Sequence, residues 1–232
     1  MAEEGQERGY CMTGFPYEHL SPSSINKYLE CPLAFLYYKS GVEGEQDVRY
    51  MVTGSAVHRD IQRLYDPNCK TEEIDESLVI KARYYDAMAG YDMLMVGHPS
   101  LKPSDRWVPE TTISRVYDEV VILGRIDLMR RDGKKIIDWK TGSRSEKDIL
   151  QGRIYQWISC YVHEIGPTEV EVRLAYLRDL PVGYVHVPYT SHAAVESVIS
   201  KVIDGVLAGD YDGKKGKHCE RCEFRKVCEK WS

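Results

Sequence analysis

The chain has 232 residues, 43% hydrophobic and 29% charged, with a formal net charge of -5. This length and composition suit one globular core, with or without an elaboration, and exclude a disordered chain. The acidic balance speaks against a module that grips nucleic acid by charge alone, and no run approaches the roughly 18 to 20 apolar residues of a membrane span. The opening ten residues are acidic where a signal peptide would be basic and then apolar, so a cytoplasmic protein is expected. Seven cysteines in that setting read as metal ligands or buried thiols, not as a disulfide framework.

Residues 1–20 are polar, glycine-bearing and aperiodic, which predicts a mobile tail ending at Leu20. Ser21-Pro22-Ser23 is a helix start, with a serine available as N-cap and Ile25, Tyr28 and Leu29 at helical spacing. Pro32 limits this helix or opens the next. Helical patterns follow over 54–65, with Val57, Ile61 and Leu64 on one stripe, and over 75–93. Pro99, Pro103 and Pro109 mark a closing loop.

From Glu110 the residues become β-branched and aromatic. Three strands are predicted over 111–117, 120–130 and 135–141, then a helix over 146–164. Two more strands, 170–178 and 183–189, precede a helix over 191–207. This order describes an α/β sandwich on a mixed sheet. One central stretch gathers Arg125, Arg130, Arg131, Lys134, Lys135, Lys140, Arg144, Lys147 and Arg153, as a solvated face or a nucleic-acid footprint.

Asp132-Gly133 predicts a two-residue type I′ hairpin with positive φ at both positions. The register it sets puts Asp127 opposite Asp138, with Lys140 two residues on and therefore on the same face. The other face, Ile126, Leu128, Ile137 and Trp139, is wholly apolar and belongs against the core. Opposed carboxylates about 4.5–5.5 Å apart repel unless a cation lies between them. Hard oxygen ligands suit Mg²⁺ or Mn²⁺, and the lysine is placed to orient or help deprotonate a water attacking a phosphodiester.

Gly124-Arg125-Ile126-Asp127 followed by Ile137-Asp138-Trp139-Lys140-Thr141-Gly142 resembles the core of the RecB-like branch of the PD-(D/E)xK nucleases. So do Leu20-Ser21-Pro22-Ser23 through Cys31-Pro32, the Gly54-Ser55-Ala56-Val57-His58 element, and Gln151-Gly152-Arg153-Ile154-Tyr155. A C-terminal cysteine triplet completes the order of motifs. The resemblance implies a restriction-endonuclease-like core in which His58, Asp127, Asp138 and the backbone carbonyl of Trp139 bind metal and Lys140 is catalytic. Gln151 and Tyr155 would support the site or the bound strand. Glu110, at the start of a strand, reads as an ordinary strand-end carboxylate.

Cys219, Cys222 and Cys228 form a compact triplet, for which spacing alone leaves zinc and an iron-sulfur cluster equally open, with His218 able to replace a thiolate. The resemblance supplies Cys31 as the fourth ligand and implies a 4Fe-4S cluster, with Zn²⁺ as the alternative. Cys11, Cys69 and Cys160 have no partner at useful spacing and read as free thiols. The chain then divides into a tail (1–20), a helical part with Cys31 and His58 (21–109), a nuclease core (110–210) and a cysteine segment packing with Cys31 (211–232). The activity implied is a metal-dependent DNA exonuclease acting on single-stranded or end-bearing DNA, in repair and recombination or in CRISPR spacer processing, with proteins of those pathways as partners. Two rival readings are a catalytically idle DNA-binding scaffold and a small redox protein. The second leaves the aspartate hairpin unexplained.

Overall fold

A computed structural model describes residues 14–45, 48–66, 68–69, 78–179 and 183–231. Two short helices, α1 (Pro22–Glu30) and α2 (Pro32–Lys39), are followed by the longer α3 (Val48–Tyr65) and α4 (Leu78–Gly97). Strands β1 (Trp107–Tyr117), β2 (Val120–Arg130) and β3 (Lys135–Lys140) then lead into α5 (Glu146–Val162). Strands β4 (Glu171–Tyr176) and β5 (Tyr184–His186) precede α6 (His192–Leu207). The five strands form one sheet in chain order, antiparallel except for the parallel β3–β4 pair that α5 crosses over. This is the expected α/β fold on a mixed sheet.

Helices cover both faces of the sheet. On one side Ile25, Tyr28, Ile154, Trp157, Ile199 and Val202 from α1, α5 and α6 pack on Ile122, Ile136 and Val172. On the other, Val57 and Ile61 of α3 and Tyr91 and Leu94 of α4 pack on Leu128, Ile137 and Trp139. Each such side chain contributes about 1.5–3 kcal/mol by leaving water. Ser21 caps α1 reciprocally with Ser24, and Pro22 stands at its first position, where a missing N–H costs nothing.

Several expectations are corrected. Residues 14–20 are packed: Tyr17 meets Phe15 and Phe35 edge to face, and Leu20 is fully buried and bridges Ile122, its N–H donating to Val121 and its carbonyl accepting from Leu123. A single bridging residue has no period for a sequence to display. Residues 1–13 lie outside the described residues, as do 75–77 of the helix expected from Asp75. In α3 the buried stripe is Val57 and Ile61, with Tyr65 partly buried beside it, while Leu64 is half exposed. Strand β1 starts at Trp107 and includes Pro109, which an edge strand tolerates because no neighbour needs its N–H.

The two hairpin turns exchange their expected roles. At Asp118-Glu119 both residues have positive φ (45° and 63°) between paired Tyr117 and Val120, so the tight two-residue turn is here. At the expected place only Gly133 has positive φ, at 71°. There the Gly133 N–H donates to the Arg130 carbonyl, and Asp132 holds Arg130 and the Lys134 N–H. The longer turn nevertheless keeps the anticipated register, with Leu128 opposite Ile137 and Met129 opposite Ile136.

Candidate active site

The site is built where the β1–β2 ribbon turns over. Pairing runs from Trp107↔Arg130 to Pro109↔Leu128 and resumes at Thr111↔Ile126 in the same register, leaving out Glu110 and Asp127. Glu110 takes a φ of 48°, in the left-handed region that a β-carbon disfavours. As a result Trp107 and Ile113 share strand parity yet face opposite layers, and Ile126 packs with α5 while Leu128, Ile137 and Trp139 pack with α3 and α4. All four residues of the expected apolar face are buried, but they are divided between the two cores.

Beyond Leu128↔Ile137 the β2–β3 ladder opens. In place of a backbone acceptor, the Trp139 N–H donates to Asp127 Oδ2 at 2.7 Å. The Lys140 carbonyl accepts from Leu177 beside β4, so strand alternation turns the Trp139 carbonyl toward β2, the side on which Asp127 lies. His58 follows the buried Val57 on α3, which puts its imidazole at the margin of the core, with Nδ1 3.2 Å from Asp127 Oδ1. His58, Glu110 and Asp127 each present a ligand atom within 4.8 Å of the others, the only such set of three among the described residues.

Asp138 and Lys140 stand next to this set. Asp138 is 3% exposed, and its Oδ2 lies 2.6 Å from Lys140 Nζ. The lysine also donates to Gln151 Oε1 (2.8 Å) and approaches Asp148 Oδ1 (3.6 Å). The Gln151 amide in turn donates to the Tyr155 hydroxyl (2.7 Å), which donates to the Arg125 carbonyl (2.7 Å), two residues before Asp127. Gly124 permits this contact: a β-carbon there would come within 3.0 Å of the Tyr155 ring. Gly152 lets α5 lie close to the sheet, since its β-carbon would be 2.6 Å from Val187. The network thus runs from Lys140 back to the strand that carries Asp127.

Burial works against a charged His58, but the carboxylates of Asp127, Asp138 and Glu110 outweigh it and raise its pKa to about 9. Burial likewise opposes charge on Lys140, and Asp138, Asp148 and Asp127 overcome it, so the ammonium is held above its ordinary value. For Asp138, burial pushes the carboxyl above the usual carboxylate range while Lys140 pulls it back. Burial, with Asp138 and Asp127 adding to it, keeps the Tyr155 phenol un-ionised as a donor.

The sequence-predicted residues His58, Asp127, Asp138, Trp139, Lys140, Gln151 and Tyr155 therefore converge on one site. Glu110 belongs with them geometrically, joined to Arg125 Nε at 2.6 Å. Asp148, held by Tyr176 at 2.8 Å, was missed. Helical spacing could have found it, since Asp148 lies three residues before Gln151 on the same helix. Nothing in the sequence announces the backbone conformation of Glu110. The basic stretch does not form one face: Arg130, Lys134 and Lys135 pair with Asp132, Glu169 and Glu171 near the hairpin turn, whereas Arg144 and Lys147 pair with Asp179 and Glu30 near the site.

The four expected cysteines line one small cavity with Ala34, Tyr37 and Phe224. Cys31 ends α1 and starts α2, and the triplet lies on and after a short 3-10 helix, Lys217–Arg221. Burial lifts the Cys222 thiol, and Cys31, Cys228 and Cys219 raise it further. Cys69 and Cys160 form no disulfide, and Cys11 lies outside the described residues.

A family model described as the PD-(D/E)XK nuclease superfamily matches residues 19–229. The chain belongs to that superfamily, whose nucleases use divalent metals. A solved structure from Eubacterium rectale, named an exonuclease as a provisional assignment, is 12% identical, with a TM-score of 0.56 over 98% of this chain and 96% of that one. It shares the fold. Another solved structure, SSO0001, is 14% identical with a TM-score of 0.49, covering 93% of this chain and 88% of that one. No curated protein sequence matches the chain. Among the described residues no helix is long and apolar enough to cross a membrane.

Proposed function

We propose that the chain is a divalent-metal-dependent DNA exonuclease of the RecB-like branch, acting on single-stranded or end-bearing DNA in repair, recombination or CRISPR spacer processing. The observation that carries this reading is the meeting of His58, Glu110 and Asp127 beside the buried Asp138–Lys140 pair. The name of the Eubacterium rectale neighbour agrees with an exonuclease.

The donor set fits a hard divalent cation such as Mg²⁺ or Mn²⁺, with carboxylate oxygens and one imidazole within reach of a common centre. Asp127, His58 and Glu110 would hold it, with Asp138 and the Trp139 carbonyl as the further ligands at the opened ladder. When bound, such a cation supplies Lewis acidity toward a phosphodiester oxygen. The protein's own groups do the rest. Gln151 fixes the Lys140 ammonium, which offers positive charge where the phosphodiester gains negative charge during hydrolysis. Asp127 accepts from the Trp139 N–H, so its carboxylate is oriented before any ligand arrives. Tyr155 stays neutral and anchors β2 through the Arg125 carbonyl.

The four cysteines that line one cavity are read as the ligands of a 4Fe-4S cluster, with Zn²⁺ as the alternative, since four thiolates suit either. Its part in the reading is structural, joining the α1–α2 elbow to the segment after α6.

The test is degradation of 5′- and 3′-labelled linear DNA, single- and double-stranded, against closed circles, with Mg²⁺ or Mn²⁺ and an EDTA control. Cleavage confined to linear DNA and abolished by EDTA and by Asp138→Asn supports the reading. A wild type that binds DNA under every condition without cutting it would leave the idle scaffold as the better account.

A further inference from the structure

A groove of about 1410 Å³ runs beside the cysteine segment, larger than the roughly 300–1,000 Å³ of a small-molecule pocket. Its lining includes Ser143 and Lys147, which flank the start of α5, one helical turn from the Gln151 that holds Lys140. Arg221, Cys222, Cys228 and Trp231 line it as well. Eight lysines and arginines face it against four glutamates, in a chain whose net charge is -5. Ion pairs hold Lys27, Lys147 and Lys226 to Glu223, Glu30 and Glu45. Arg178, Lys217 and Arg221 stand exposed along it.

The groove also contains a flat apolar surface. Trp231 is 40% exposed, with the Arg225 guanidinium 4.2 Å from its ring centroid. A positive trough that includes an aromatic platform is the combination that holds single strands, because phosphates follow the charges and an unpaired base stacks on the ring. A duplex keeps its bases stacked on each other and cannot use the platform.

We propose that this groove is the track along which a single strand of DNA reaches the carboxylate site, with Arg178, Lys217 and Arg221 on its phosphates and Trp231 under a base. The inference rests on the nuclease reading and adds where the strand lies. The cysteine segment is then one wall of the track as well as a clamp on the fold.

The experiment is fluorescence anisotropy of labelled oligo(dT), with Ca²⁺ in place of Mg²⁺ to prevent cleavage, over a series of salt concentrations. For Arg178→Ser/Lys217→Ser/Arg221→Ser the Kd should rise at least tenfold. The slope of log Kd against log salt should fall by about 2, since each lost phosphate contact on a single strand removes about 0.7. Trp231→Ala should weaken the strand about tenfold and a blunt duplex of equal length far less. Arg178→Ser alone lies outside the cysteine segment, so its smaller loss of affinity is independent of that segment's folding. An unchanged Kd and salt slope in the triple variant, or equal losses on strand and duplex, would overturn the proposal. If the wild type binds the strand but never cuts it, the nuclease reading fails while the variant affinities still decide the track.

Discussion

The carboxylate site and the cysteine cavity are organised in opposite ways. Asp127, Asp138 and Lys140 sit on two neighbouring strands packed between helical layers, and every one of them has a fixed partner. The cysteine triplet lies on irregular backbone tied down by Phe224, 2% exposed and edge to face with Tyr37, by the Glu45 N–H donating to the Glu223 carbonyl, and by the ion pairs Lys27–Glu223 and Lys226–Glu45. The fold holds the first site in shape. On the proposed reading the second, once liganded, would hold the fold in shape, which is the energetic logic of structural metals.

This contrast can be broken by separating activity from stability. The largest effect expected is from Asp138→Asn: loss of cleavage by about a thousandfold, the several kcal/mol that Lewis-acid stabilisation contributes, with little change in Tm. A comparable fall in Tm would show that the sheet site is not prebuilt. Next, Cys31→Ser should lower Tm by roughly 10 °C, as removal of a native staple worth about 2–5 kcal/mol would at this chain length. Visible absorbance and bound iron should be lost with it, while a residual strand-cleaving activity persists below the new Tm.

A third effect separates the sites by pH. With its pKa raised to about 9, His58 is protonated in the metal-free protein and must give up that proton to coordinate. Mn²⁺ affinity should therefore climb about tenfold per pH unit from pH 6 to 8, read by calorimetry, and His58→Ala should flatten the slope. In the metal-free protein the sign reverses. A raised histidine pKa stabilises the fold below the unfolded value of about 6.5, and that contribution is lost as pH rises through about 9. The smallest effect concerns strain. Asp118→Asn/Glu119→Gly should add about 0.5–1 kcal/mol at a turn remote from the site, a rise of a few degrees in Tm with cleavage unchanged. Glu110→Gly relieves the same kind of strain and should also raise Tm, but at the expense of Mn²⁺ affinity.

Much of this was legible in the chain. Strand β2 begins and ends at the expected residues, Lys140 falls beside Asp138 and Gln151 meets Tyr155 as their spacing requires, whereas the expected pairing of Asp127 with Asp138 is not made because the β2–β3 ladder ends at Leu128↔Ile137. Period-two alternation is local, so it survives in sequence. What stayed hidden was non-local or conformational. The ribbon turns over at two residues that each look ordinary, and alternation read through Asp127 therefore put Ile126 in the wrong layer. The Asp118-Glu119 turn lacks the glycine that would signal it, while Asp132-Gly133 has the glycine but makes a longer turn. The groove was invisible because its cations come from segments as distant as Lys27 and Arg225.

Cys31 precedes Cys219 by 188 residues, yet both line one cavity. During synthesis at about 5–20 residues per second, the α1–α2 elbow waits roughly ten to forty seconds for its partners to leave the ribosome. For that interval Cys31 is a solitary thiol at a helix junction, open to stray metals and oxidants. Once the triplet closes over it, it becomes one of the two buried thiols among the described residues, 8% exposed.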